Sequence, residues 1–199
     1  MTPDLFEPAD DATPLSGEEQ LALIPSLSAR AELNQLERLN INDARVWAMR
    51  KSVLRRQDLL SDVFARELHR RMFNQVWQWA GRYRTTEKNL GWEVHRLAEG
   101  VRNVCDDAKA WLEHSTYPLP EAAVRLHHQL VVIHPWPNGN GCHARLMADI
   151  VIAARGGEEL TWGAGAEIGT GGDVRQHYID AVRQADQGNY APLLAFAQG

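Results

Sequence analysis

Cysteine is scarce in this sequence, with only Cys105 and Cys142 among 199 residues. Two thiols form at most one disulfide, and without a C-x-x-C pair they offer no thiolate metal cluster, a pattern that suits a reducing compartment. Long apolar runs are missing as well. Nothing approaches the roughly 18 consecutive apolar residues of a membrane-spanning helix, and the N-terminus lacks the basic-then-apolar opening of an export signal. The expectation is a cytoplasmic chain with no membrane partner. Basic residues are absent from one place in particular: residues 1–29 hold Asp4, Glu7, Asp10, Asp11, Glu18 and Glu19 but no Lys or Arg. Taking these six from the 26 acidic residues leaves 20 against 21 basic ones, so the remainder is near neutral. A near-neutral body carries no broad footprint for nucleic acid. The opening segment reads as a solvated acidic arm (1–29), followed by one domain (30–199).

What is present is helical periodicity. Phe64, Leu68, Met72, Val76 and Trp79 form one stripe, begun by Ser61 as a cap and stopped by Gly81. A second stripe runs through Leu97, Val101, Val104, Ala108, Trp111 and Leu112, and a third through Ala123, Leu126, Leu130 and Ile133 after Pro118 and Pro120. Further helices are expected at 30–55, 142–154 and 173–187, the last capped by Asp173 and ended by Gly188. The seven tryptophans need only a core to explain them. Residues 82–95 favour extension around Tyr83, Arg84, Thr85 and Thr86, with a turn at Asn89-Leu90-Gly91, which predicts a small β-hairpin. Residues 155–172 carry seven glycines without a strand pattern and read as a flexible loop rather than a dinucleotide fingerprint.

One segment carries chemistry: His134-Pro135-Trp136-Pro137-Asn138-Gly139-Asn140-Gly141-Cys142-His143-Ala144-Arg145. Pro135 and Pro137 cannot continue the preceding helix, and the glycines flanking Asn140 permit positive φ. The chain can therefore turn sharply and aim successive N–H groups at one point, opening onto a helix N-terminus where the dipole favours anions. His134 stands at the entrance, and Arg145, one turn on, has the reach and fixed charge for an outer phosphate. Two other readings use the same residues. An isolated His134 is an ordinary helix-end histidine; alternatively, His127, His128, His134, His143 and Cys142 form a transition-metal cluster, although no carboxylate or cysteine pair completes it.

The string resembles the Fic motif, H-x-F-x-D/E-G-N-G-R-x-x-R, at His134, Gly139, Asn140, Gly141 and Arg145. Trp79-Ala80-Gly81 with Arg84-Thr85, and the run from Tyr178 to Asp186, are similar to helices of bacterial Fic domains, while Asp4 to Asp11 resembles the branch called mobile mystery protein B. The resemblance implies an all-α Fic fold with a β-hairpin flap at about 82–92 and a motif loop at 134–145. It implies a protein adenylyltransferase using ATP and Mg²⁺, with His134 as the base toward a Ser, Thr or Tyr hydroxyl of a target protein. Asn138, Gly139, Asn140, Gly141, Cys142 and Arg145 would hold the phosphates. Thr85, Thr86, Glu87 and Lys88 would dock the target by strand addition, and an antitoxin-like or regulatory partner would fit such a protein. Asn138 stands where the motif has a Mg²⁺-binding carboxylate, so either metal affinity falls or the phosphates supply more of the coordination. Cys142 replaces the first motif Arg and removes one forked cation, which is expected to reduce activity. Alternatives are a weakened module that binds nucleotide or partner without turnover, and a Doc-like protein phosphotransferase.

The resemblance also implies a brake. Fic proteins carry an inhibitory helix patterned S/T-x-x-x-E-G/N, and Ser28 with Glu32, at the head of a helix over about 28–37, comes close, with Leu33 in the final place. The competing reading is a plain helix start, Ser28 capping and Glu32 in the first turn.

Overall fold

The computed structural model describes residues 14–163 and 172–199. Nine α-helices run through these residues: α1 Gly17–Leu21, α2 Arg30–Ala48, α3 Lys51–Leu54, α4 Asp62–Phe73, α5 Leu97–Glu113, α6 Leu119–Ile133, α7 Asn140–Ala154, α8 Asp173–Asp186 and α9 Ala191–Gln198, with a single 3₁₀ turn at Val94–Arg96. The fold is all-α, as the periodicity predicts. No helix among the described residues is long and apolar enough to cross a membrane.

Helix α7 forms the centre. From Ala144 through Ile152 only Arg145 is not buried, a helix buried on every side that other helices must surround. It packs along α6, which packs along α5, while α2 lies on α4 and α8 on α9. Enclosing α7 fixes its N-terminus and therefore the loop leading into it.

The first stripe ends sooner than its period predicts. Ser61 caps α4, accepting from Phe64 N at 3.1 Å. The helix then stops at Phe73, and Val76 and Trp79 are buried in the turns that follow. Asn40 of α2 supplies the reason: its Nδ2 donates to Arg71 O at 2.9 Å and its Oδ1 accepts from Gln75 N at 3.0 Å. This amide inserts between the two groups that would have made the next helical hydrogen bond. The helix expected at 30–55 is broken after Ala48 into α2 and α3.

The acidic arm is not a free solvated tail where it is described. Residues 22–24 pair with 76–78, through Ile24 N to Val76 O and Gln78 N to Ala22 O, both 2.9 Å. Glu19 is 7% exposed. Residues 1–13, including the stretch likened to mobile mystery protein B, lie outside the described residues. The glycine-rich segment is partly anchored as well: Thr161 and Trp162 donate to Ala197 O, and Trp162 Nε1 donates to Asp149 at 2.8 Å. The rest of it, 164–171, lies outside the described residues. The expected hairpin is corrected too. Residues 82–92 form no strands and follow an irregular path, because their hydrogen bonds go to the end of α6 and to side chains instead of to each other.

Candidate active site

Helix α6 ends at His134, which takes the left-handed conformation at φ 51°, ψ 58° while its N–H still reaches Leu130 O at 3.1 Å. Pro135 forces the ending, having no N–H to give and disfavouring helical backbone before it. The loop then closes on Asn140, whose Oδ1 accepts from Trp136 N and whose Nδ2 donates to Trp136 O, both at 2.9 Å. This side chain is buried and spent on the loop, so only the backbone N–H of Asn140 is left for a ligand. Gly139 sits at φ 78°, and a Cβ there would lie 2.2 Å from the Phe73 ring, so no other residue fits.

Helix α7 starts at Asn140 with no side chain capping it. Its first N–H groups, at 140 to 142, precede any intrahelical acceptor; His143 N is the first to close, onto Gly139 O at 2.9 Å. Arg145 folds back over this end, its guanidinium 5.6 Å from the Tyr178 ring and donating to Cys142 Sγ at 3.4 Å. An uncapped helix terminus beside a guanidinium is an anion site built from dipole, free donors and fixed charge.

Buried aromatic and basic residues brace the loop, and sequence reasoning missed most of them. His69 stacks on Trp136 with centroids 4.2 Å apart, and Tyr83 stacks on the same indole at 4.9 Å. His69 Nδ1 accepts from Gly81 N at 2.9 Å, which leaves its Nε2–H to donate to Asn138 O at 3.2 Å. Burial, together with nearby His143, holds the His69 ring well below the usual histidine range. Arg84 is 2% exposed and fans its guanidinium over three carbonyls: His134 O at 2.8 Å, Thr86 O at 2.9 Å and Trp92 O. Backbone bonds from Arg84 N to Pro135 O and Trp92 N to Ile133 O tie the same segment to the loop. Pattern reading did not single out His69 and gave Arg84 to an extended segment, since nothing local marks a polar residue that another element will bury.

Burial lowers the His134 pKa to about 4, and the charges of Arg84 and Lys88 push it the same way, against a hydrogen bond to Val131. The imidazole is therefore neutral at physiological pH. Beyond Ile133 opens a cavity of about 480 Å³ walled by Trp92 and Val104, with Asn103, Gln129 and Asp186 as its polar lining. Asp186 accepts from His128 Nε2 at 2.8 Å, and the Tyr190 hydroxyl meets His128 Nδ1 at 2.9 Å.

The remaining expected residues fall differently. Glu32 is exposed and accepts from Ser28 N, Ser28 Oγ and Ala29 N at 3.1, 3.3 and 3.2 Å. Its carboxylate serves the start of α2, where Ala29 rather than Ser28 is the N-cap and Ser28 Oγ donates to Glu32 instead of capping the helix. Thr86 Oγ1 and Lys88 Nζ both bind Glu19, at 2.8 and 2.5 Å, so these two docking candidates already hold the N-terminal segment. Thr85 and Glu87 are exposed, although Glu87 accepts from Val94 N at 3.0 Å. The histidine cluster does not assemble: His127 pairs with Tyr178, His128 with Asp186 and His143 with Ala65 O. No group of three or more His, Cys, Asp or Glu able to hold a metal occurs among the described residues.

Residues 59–152 match the Fic/DOC family. Among curated proteins, the chain is similar to protein adenylyltransferase fic-1 of Caenorhabditis elegans, 33% identical over 135 residues that span 65% of this chain and 25% of that protein. Protein adenylyltransferase Fic of Nematostella vectensis is 27% identical over 135 residues, 65% of this chain and 30% of its own. The chain thus spans about a quarter to a third of these relatives. Among solved structures, C. elegans Fic-1 superposes with a TM-score of 0.65 at 23% identity, covering 91% of this chain and 52% of that one. The N-terminal Fic domain of a cell filamentation protein from Bartonella quintana gives 0.69 at 14% identity, covering 100% and 91%. BepC from Bartonella tribocorum, solved with AMPPNP, gives 0.66 at 14% identity, covering 92% and 97%.

Proposed function

The chain belongs to the Fic/DOC family, and on that premise we propose that it is a protein adenylyltransferase, moving AMP from ATP to a Ser, Thr or Tyr hydroxyl of a target protein. The observation that carries this reading is the uncapped α7 N-terminus flanked by Arg145, with a neutral His134 at the other end of the loop that leads into it. The curated relatives bearing that name support it.

The α-phosphate would rest against the N–H groups of residues 140 to 142, with Arg145 on the outer phosphates. The 480 Å³ cavity beside Ile133 has an aromatic wall and hydrogen-bonding lining suited to the nucleoside. His134 accepts the proton of the target hydroxyl as that oxygen attacks phosphorus; the bond to the bridging oxygen breaks and pyrophosphate leaves. No covalent enzyme intermediate forms. The helix N–H groups stabilise charge on the transferred phosphoryl group, a contribution of about 10²-fold or more per donor in other oxyanion sites. A bound polyphosphate brings negative charge to an imidazole whose pKa burial and two cations hold down, so His134 becomes a stronger base when ATP arrives. The target segment would pass along Thr85 and Glu87, and a regulatory partner could act through residues 14–24, which hold Thr86 and Lys88 from behind.

The residues present fit Mg²⁺ in one manner. Asn138 would offer its amide oxygen, with phosphate oxygens and water supplying the remaining ligands, as is usual when Mg²⁺ accompanies a nucleotide. When bound, the ion would neutralise phosphate charge and orient the leaving group.

Incubation with ATP labelled on the α-phosphate should label protein substrates or the chain itself, and His134→Ala should abolish it. Labelling that persists in that variant overturns the mechanism, and transfer of a γ-label in place of the α-label makes the protein a phosphotransferase.

A further inference from the structure

Helix α2 lends the motif loop a carboxylate that the proposed chemistry has not used. Glu37 Oε1 accepts from Trp77 Nε1 at 2.7 Å and from Asn138 Nδ2 at 3.2 Å, across 101 positions of sequence. We propose that Glu37 is a positioning residue, turning the Asn138 amide so that its oxygen faces the phosphate site and accepts the nucleotide's divalent cation. This rests on the adenylyltransferase reading.

The two orientations of a carboxamide have the same shape and differ only in which atom donates. The Trp77 indole N–H can only donate, so Glu37 Oε1 acts as an acceptor there; the amide end that meets the same oxygen is nitrogen, and Oδ1 is carried to the other side of Cγ. The loop cannot undo this by rotating its backbone, because the Asn138 carbonyl is itself held by His69 Nε2 at 3.2 Å. The contact also polarises the amide: a hydrogen bond from Nδ2 to a carboxyl oxygen draws negative charge onto Oδ1 and makes it a better ligand for a hard cation. Where the motif pattern has a single carboxylate in the loop, this chain uses a neutral ligand backed by a carboxylate from another helix. Without Glu37 the amide could present its N–H₂ to the cation, which is repulsive.

The test is Mg²⁺ titration of a fluorescent ATP analogue bound to the full chain, with Glu37→Gln compared against the unaltered protein. Gln at 37 keeps the volume but offers a donor as well as an acceptor, so the Asn138 amide can take either orientation. The half-saturating Mg²⁺ concentration should rise about tenfold, the worth of one charge-assisted contact, while nucleotide binding in EDTA stays the same. Adding Asn138→Asp to Glu37→Gln places a carboxylate directly in the loop and should restore the original Mg²⁺ dependence. An unchanged Mg²⁺ dependence in Glu37→Gln overturns the proposal. So does an equal loss with and without Mg²⁺, which would make Glu37 a structural support, and so does tighter binding, which would make it an obstacle to nucleotide. If the unaltered chain binds no nucleotide at any Mg²⁺ concentration, the adenylyltransferase reading fails and takes this one with it; the other overturning results leave that reading intact.

Discussion

Replacing Arg84 by glutamine removes a buried cation that both braces the loop and tunes its histidine. The guanidinium bonds the carbonyls of His134, Thr86 and Trp92 from a site 2% exposed, and among the described residues it forms an ion pair only with the exposed Glu87, at 3.6 Å. Hydrogen bonds to a charged group contribute about 1.5–3 kcal/mol each, and a buried acceptor left alone costs about 1–3 kcal/mol. A shorter, neutral amide can satisfy at most two of the three carbonyls. A net loss of roughly 3–5 kcal/mol follows once the relief of desolvating the cation is deducted. For a chain of this length that lowers the melting temperature by about 6–20 °C. A second effect is electrostatic. The Arg84 charge adds to burial in holding His134 at about 4, so without it the imidazole titrates closer to 6.5. Calorimetry measures the first effect, and the NMR titration of the His134 ring protons measures the second. A melting temperature within two or so degrees of the original, together with an unmoved His134 titration, would refute the argument for both roles.

Gly139→Ala sets a methyl 2.2 Å from the Phe73 ring in backbone at φ 78°, and about 2–4 kcal/mol should be lost from strain and overpacking. Denaturant unfolding checks this, and loss below about 1 kcal/mol would contradict the described packing. Acid should weaken the fold. His69, His127, His134 and His143 all have pKa values depressed chiefly by burial. As pH falls from 6.5 toward 4 the unfolded chain protonates these rings and the folded chain does not. Stability is therefore present above 6.5 and lost through that window, on the order of 3 kcal/mol for His143 alone, whose value falls from 6.5 to about 4. Glu37 and Asp149, whose pKa values are raised by burial, work in the opposite sense. Urea midpoints measured from pH 7 to 4 should fall steadily, and a flat profile would refute the histidine argument. Glu32→Ala should leave self-labelling unchanged while slightly lowering the melting temperature through the lost helix start. A marked rise in labelling would assign the brake to Glu32.

Much of the fold was legible because amphipathic helices repeat their burial every turn: α5, α6 and the body of α4 can be read from single stripes. The motif loop was legible for a different reason. Its turn needs Pro135 and Gly139 in place, and these residues act on their own backbone. The failures share a physical pattern. A stripe through Val76 and Trp79 continued the helical period, yet Asn40, over 30 positions earlier, took the hydrogen bonds that α4 needed to continue. Thr85 and Thr86 had β propensity, but Arg84 and the end of α6 claimed the segment's hydrogen bonds.

From its residues alone, this chain could be assigned a helical core, a sharp loop between two helices, and a histidine with an arginine one helical turn past the loop. Each depends on neighbours within a few positions, where propensity, φ restriction and periodicity act. Which carboxylate meets the loop was decided only by tertiary packing: Glu32 and Glu37 lie on the same helix, and the superposition of α2 on α4 sends one to a cap and the other to Asn138. The same holds for the neutrality of His134, since the desolvation and cations that depress it come from segments brought together by folding, and no local pattern encodes the dielectric a side chain will meet.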